Sequence, residues 1–460
     1  MHNLMKYFLA SVPLLAAFAM EAQTPDGAGT TAQQSQATTP QRYANMPEEA
    51  VPYRKFAKPY KEWYLSDNTL EYNGAARERT IEEVESAPTV KIGFLGPLEN
   101  NPEAGYGRAM LRGAQLALKE ANARGGFKAG GTATAGKPYE LKIHDDAAQW
   151  GAASAEVVKM AQDEQVVAML GSIDGASTHI MLRIGLKLEF PIMDTGTTDP
   201  TVTETRIPWL IHTFPDDRQQ GYALAEYIFK QKRLKRIGVI RTQSRYARVG
   251  VQKFFDEAKR LGHVPALEVK FERGDQDFSI QIRMLQNARL DGIVIWGEPA
   301  EGALVLKQLR DVGMTVPVFG ASRLNDPELL AKAGAAADGL IMTCAMNPLR
   351  TDEKWQEFSV NYREAYGAEP DSYAAYAYDG MNILVGAIEA AGLNRGKIME
   401  ALRNYAQKSY AGAAETERFD YTLNNIAPVS LARVENGKFV YWTPHNDHLN
   451  ARQGIGGGTP

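Results

Sequence analysis

Apolar positions along the chain follow two alternating rhythms, short strand-like runs and longer stretches of helical period. Val90–Leu95 reads as a strand. Arg108–Ala123 reads as a helix, with Met110, Ala114, Ala117 and Ala121 on one face and Gly125 as its stop. Strands at Tyr139–Ile143, Val166–Leu170, Pro191–Asp194 and Trp209–Phe214 follow, with helices at Ser154–Gln165 and Thr178–Leu188. The rhythm then restarts with a helix at Gln219–Lys230. Strands at Arg236–Thr242, Ala266–Phe271, Gly292–Trp296, Val316–Phe319 and Gly339–Thr343 alternate with helices at Val249–Leu261, Phe278–Ala288, Ala300–Val312 and Pro327–Gly334. Three helices come next, Glu353–Tyr366, Tyr373–Ala391 and Lys397–Tyr405. In Val429–Trp442, Asn436-Gly437 between alternating residues predicts a hairpin.

Alternation with short links predicts an α/β fold of two Rossmann-like lobes, each a parallel sheet flanked by helices. The helices at 353–405 have no strands of their own. The chain is therefore expected to return to the first lobe and end in the second, through hinge crossovers that leave a cleft. The expected division is 89–214 plus 346–413 for one lobe and 215–345 plus 414–443 for the other. Before them come a signal peptide at 1–22 and an irregular extension at 23–88 that is disordered at first and then aromatic-rich, and after them a loose tail at 444–460.

Open α/β sheets gather ligands at the carboxyl ends of their strands. Gly171–Thr178 (GSIDGAST) runs from a strand into a helix, so its free N–H groups and helix dipole suit an anion, with an ordinary helix cap as the alternative. The other strand ends supply Gly105-Tyr106-Gly107, Asp194–Pro200, Gln243–Tyr246, Gly297-Glu298-Pro299 and Gly320–Arg323. Tyr373, Tyr376 and Tyr378 open a long helix, either as a pocket wall or as core. Asp145 and Asp146 read as a helix cap, with a metal or acid/base pair as the alternative.

Composition narrows the field. The 460 residues are 44% hydrophobic and 23% charged, with a net charge of −4 that gives no support for nucleic-acid binding. The single cysteine, Cys344, lies in an apolar run and excludes an intrachain disulfide. Lys6, the apolar segment Tyr7–Phe18 and the small residues around Ala19 and Ala22 predict export, and no later segment is apolar enough to insert in a membrane. An exported, disulfide-free chain fits the periplasm. No Gly-x-Ser-x-Gly elbow, Walker loop or dinucleotide fingerprint occurs, and His445 and His448 fall in the tail. The residues give no sign of an enzyme, a cofactor or a metal site.

From Val90 to Trp442 the chain resembles the periplasmic solute-binding proteins of type I fold, in the leucine/isoleucine/valine-binding branch of the ABC importers. The resemblance rests on KIGFLGPL, RGAQLALKEANARGG, IHDD, MLGSIDGAST, FPIMDTGTTDP, IGVIRTQSRYARVG, DGIVIWGEPAE and YAAYAYDGMNIL, in that order. It implies a small-molecule ligand trapped between the lobes and passed to an ABC importer permease; a periplasmic sensor subunit is the alternative. It also implies ligand contacts at Asp174, Gly175 and Ala176, at Gly196, Thr197 and Thr198, and at the aromatic walls Tyr106, Tyr246 and Tyr373. Gly175 stands where the family usually has a serine. The acidic residue that holds an amino group in such proteins is replaced near Ser322 and Arg323. Either Glu298 takes that role, or the ligand is a carboxylate without an amino group that meets Arg323. Arg323 facing solvent beside the cleft is the remaining alternative.

Overall fold

Among the described residues the first lobe begins, in sequence, with β1 (Val90–Gly96), α1 (Ala104–Ala123), β2 (Tyr139–Asp145), α2 (Trp150–Gln162), β3 (Ala168–Leu170), α3 (Gly175–Leu188), β4 (Ile192–Asp194), the single turn α4 (Thr201–Glu204) and β5 (Leu210–His212). All five strands are parallel, in the order β2-β1-β3-β4-β5. The computed structural model describes residues 86–128, 136–406, 410–414, 416–420, 422–427 and 429–442. The expected leader, all but the last residues of the extension, and the tail with His445 and His448 lie outside the described residues.

The second lobe repeats the plan with α5 (Asp217–Ala225, continuing as a π-helical turn to Gln231), β6 (Ile237–Thr242), α6 (Arg245–Arg260), β7 (Leu267–Phe271), α7 (Ser279–Asn287), β8 (Gly292–Trp296), α8 (Pro299–Asp311), β9 (Val318–Gly320), α9 (Pro327–Ala333) and β10 (Ile341–Cys344). Cys344 is buried there, a core residue. The helices α10 (Glu353–Tyr366), α11 (Ser372–Ala391) and α12 (Arg395–Ala406) then share one apolar core with β1 and α1. Their contact is close because Gly113 lacks a Cβ, which would lie 2.0 Å from the carbonyl oxygen of Ala374. After the short ribbon β11 (Tyr410–Ala411) and β12 (Thr416–Glu417), β13 (Ser430–Glu435) and β14 (Lys438–Trp442) add an antiparallel hairpin to the second sheet, whose order is β14-β13-β10-β9-β8-β6-β7. Asn436 and Gly437 turn that hairpin with φ of 51° and 72°, the left-handed pair that a two-residue turn requires.

Three stretches cross between the sheets, and polar side chains stitch two of them together. The ring nitrogens of His212 face two acceptors, Asn424 Oδ1 at 2.6 Å and the Thr197 carbonyl at 2.8 Å. Asn425 Nδ2 donates to the Thr213 carbonyl at 2.7 Å, and Gln219 Nε2 to the Ala427 carbonyl. Asp216 and Gln219 close a capping box on α5. These groups are buried, so each needs its partner to offset lost hydration.

Asp194, at the end of β4, is fully buried beside this junction. One oxygen accepts from the N–H groups of Gly196 and Thr197, each at 3.2 Å, and His212 stands 3.9 Å from the other. Burial pushes the carboxyl up to about 7, and His212 offsets only part of that rise. The unfolded carboxyl titrates near about 3.9. Folding therefore takes up a proton between those values, and this residue's contribution falls as pH rises through that window. Asp194→Asn retains the accepting oxygen. Its melting temperature is expected to change less than wild type between about pH 5 and 7, with a slope difference of up to about 1.4 kcal/mol per pH unit. Parallel melting profiles would place the pH dependence elsewhere.

Candidate functional site

In each sheet the chain steps off in opposite directions from two adjacent strands, β1 and β3 in the first and β6 and β8 in the second. Such switch points leave a crevice at the strands' carboxyl ends, and here the two crevices face each other across a cavity of about 120 Å³. The first lobe contributes Asn101 and Glu103 after β1, Asp174 and Gly175 after β3, and Thr197, Thr198 and Asp199 after β4. The second contributes Ser244, Arg245 and Tyr246 after β6, Arg273 after β7 and Arg323 after β9. The wall is mostly polar, and an apolar void of about 150 Å³ is known to hold one benzene. The cavity therefore suits a small polar solute.

Arg323 is 4% exposed, which overturns the solvent-facing alternative. Its guanidinium carbon lies 4.0 Å from the ring centre of Tyr246 and 5.6 Å from that of Tyr106. Nη1 donates to Glu298 at 2.7 Å and to Glu103 at 2.9 Å. Arg273 reaches the same two carboxylates at 3.0 and 3.2 Å. Burial alone would raise the Glu103 carboxyl, but the two guanidiniums outweigh it and hold the group below its ordinary range. Burial pushes the phenols of Tyr106, Tyr246 and Tyr373 well up, so all three stay neutral. Tyr373 stacks between Tyr106 and Phe214, with ring centres 4.7 and 4.9 Å away. Three buried atoms of wall residues have no partner among the described residues: Glu103 Oε2, Arg323 Nε and Tyr246 Oη.

The start of α3 is already partly used. Asp174 is its N-cap, accepting from the Ser177 N–H at 2.8 Å, and burial raises its carboxyl. Gly175 and Ala176 open the first turn, where a helix has no internal acceptors for its N–H groups. A Cβ on Gly175 would come within 2.5 Å of the Asp199 carboxylate, which explains why no serine stands there. Asp199 is fixed by Arg245 of the other lobe at 2.7 Å and by the Thr201 N–H at 2.9 Å. A second pair between the lobes, Lys253 to Glu204 at 3.0 Å, closes the same side of the cleft.

Of the residues singled out from the sequence, Asp174, Gly175, Thr197, Thr198, Tyr246 and Arg323 line the cavity. Tyr106, Glu298 and Tyr373 stand behind them around Arg323. Gly196 turns its N–H inward to Asp194, and Ser322 donates its N–H to Gln220 at 3.1 Å. Thr198 keeps its hydroxyl on Asp217 at 3.1 Å. Tyr376 is core, with its hydroxyl on the Ala345 carbonyl, and Tyr378 bonds Glu120. Asp145 and Asp146 do not cap α2, whose N-cap is Gln149. They tie the strand-end loops instead, Asp145 through the N–H groups of Leu98 and Ala147, Asp146 through Ser172. Glu103, Asp199, Arg245 and Arg273 were not singled out. Asp199 and Arg245 lie inside strand-end motifs, and reading the end of β7 as well would have reached Arg273. Among the described residues no three His, Cys, Asp or Glu side chains are grouped to hold a metal, and no helix is long and apolar enough to cross a membrane.

A family profile described as periplasmic binding protein matches residues 89–438. A Leu/Ile/Val-binding protein homolog of Brucella abortus is 28% identical over 314 residues, covering 66% of this chain and 79% of the relative. Among solved structures, the leucine binding protein LivK of Thermotoga maritima superposes with a TM-score of 0.69 at 27% identity, covering 77% of this chain and 98% of its own. The branched-chain amino acid transporter substrate binding protein LivJ of Streptococcus pneumoniae, in complex with isoleucine, gives 0.68 at 25%, covering 77% and 98%.

The fit of Gly175 against Asp199 is testable by a double-mutant cycle. Gly175→Ser is expected to destabilise the protein by about 1–3 kcal/mol, the usual cost of overpacking. In an Asp199→Gly background, which removes both the carboxylate and its Cβ, at least half of that cost is expected to vanish in urea unfolding. Additive losses would show that the two residues do not compete for one space.

Proposed function

The chain belongs to the periplasmic binding protein family, a family of solute-binding proteins and not of enzymes, and from that premise we propose that it captures a small carboxylate-bearing solute between its lobes and delivers it to an ABC importer. The observation that carries the reading is the polar cavity between the two sets of strand ends, with an unpaired guanidinium N–H and an unpaired phenol O–H in its wall residues Arg323 and Tyr246. Leaving such donors buried without acceptors costs about 1–3 kcal/mol each. A carboxylate accepts from both kinds of donor at once, and charge-assisted bonds of this type are the stronger ones. Leucine and isoleucine, which the names of the two solved relatives give, each carry a carboxylate, which supports this choice.

Closure follows from the same residues. A ligand touching Asp174 and Thr198 on one side and Tyr246 and Arg323 on the other favours the state in which both sides are near. Ligand binding then shifts the population toward a closed shape that a permease can recognise. The expected leader and the family's extracytoplasmic location support a periplasmic site for such delivery.

A panel of amino acids and short or aromatic carboxylic acids tests the function by thermal shift. The true ligand is expected to raise stability by about 2.7 kcal/mol at a hundred-fold excess over its Kd. Deleting the gene is expected to abolish uptake of that solute by the source cells, and re-expression to restore it. Undiminished uptake in the deletion strain would overturn delivery, and the absence of any shift across the panel would overturn the ligand class.

A further inference from the structure

Two tyrosine rings and two carboxylates around one buried point form a receptor for a cation. In this protein the receptor is filled from within. Tyr106 and Glu103 reach it from the first lobe, Tyr246 and Glu298 from the second, and the guanidinium of Arg323 occupies its centre. We propose that Arg323 is a built-in cation that sets the specificity of the site, so that the ligand carries an anionic group and no cationic one.

The inference rests on the reading of the cavity as a ligand site and adds to it the class of ligand admitted. A ligand ammonium entering beside Arg323 would meet a positive charge already holding both carboxylates, with Arg273 close to the same pair. The acids nearest the remaining space are also engaged. Asp199 is paired with Arg245, and Asp174 caps α3 and has its carboxyl raised by burial. Glu103 Oε2 lacks a partner among the described residues, but the other oxygen of that carboxylate is already shared by Arg323 and Arg273, so an ammonium meets a charge that is already compensated, whereas an anion finds Arg323 Nε and the Tyr246 hydroxyl unpaired.

Removing the guanidinium should leave its receptor open. Arg323→Ala keeps both rings and both carboxylates, and Arg273 remains to hold the two acids in the fold. A second variant, Arg323→Ala with Glu103→Gln, removes one negative charge in case the first does not fold. Circular dichroism establishes folding, and calorimetric titration with ethylguanidinium reads the vacated receptor. Wild type is expected to show no saturable binding and a folded variant to gain at least about ten-fold in affinity. In wild type, lactate and 2-hydroxyisocaproate are expected to bind more tightly than alanine and leucine, their amino counterparts. In Arg323→Ala the preference is expected to move toward the amino acids by about ten-fold or more.

A folded variant that gains no ethylguanidinium, or a wild type that prefers the amino acids, overturns the inference and leaves the binding function standing. If wild type binds neither acid series while the variant gains ethylguanidinium, the internal cation stands and the carboxylate reading falls.

Discussion

Taking a guanidinium out of water costs several kcal/mol, and the cost is offset only where well-placed acceptors surround it. Arg323 is such a case, and the site depends on how its burial is compensated. Two carboxylates face two guanidiniums, so the cluster of Glu103, Glu298, Arg273 and Arg323 is neutral as a group. Glu103 belongs to one lobe and the other three to the second. The Glu103 contacts that help make the buried charge tolerable are therefore also contacts between the lobes.

The fold was legible because its signals are local. Each strand is a short apolar run ending in small or polar residues, and each helix keeps one apolar face, so alternation alone implied parallel sheets. Asn436-Gly437 announced its own hairpin. The boundaries moved where tertiary contacts decide them. Val166 and Val167 read as strand, but β3 begins at Ala168, after Gln165 takes a left-handed turn. The helix read as Gln219–Lys230 begins at Asp217 under the capping box and widens to a π-helix at Glu226.

The site was legible as a set of loops more than as a set of contacts. Strand ends at switch points collect ligand groups in any open α/β sheet, and GSIDGAST, DTGTTDP and QSRY do meet at the cavity. What the sequence could not convey is which way a polar group turns. Gly196 looked like a donor for a ligand, yet its N–H serves Asp194. Glu103 sits in an acidic stretch and Arg273 in a charged turn, and neither carries a local signal that singles it out. Their burial exists only because residues far apart in sequence neutralise them, 220 positions in the case of Glu103 and Arg323. Arg323 itself looked equally suited to solvent until Tyr106 and Tyr246 were seen on either side of it.

The crossovers connect this cluster to the rest of the molecule. The first turn of α5 touches both lobes at once. The Asp217 N–H donates to the Thr198 carbonyl at 2.8 Å, and Gln220 Oε1 accepts from the Ser322 N–H and the Thr343 hydroxyl, each at 3.1 Å. Thr198 is in the cavity wall, and Ser322 immediately precedes Arg323. One rigid turn thus fixes a wall residue of the first lobe and the backbone before the buried cation of the second. Two ion pairs between the lobes, Arg323 to Glu103 and Arg245 to Asp199, join residues that line the cavity. On the function proposed above, Arg323, one residue after this anchored backbone, both limits what the cleft admits and bridges the two lobes through Glu103.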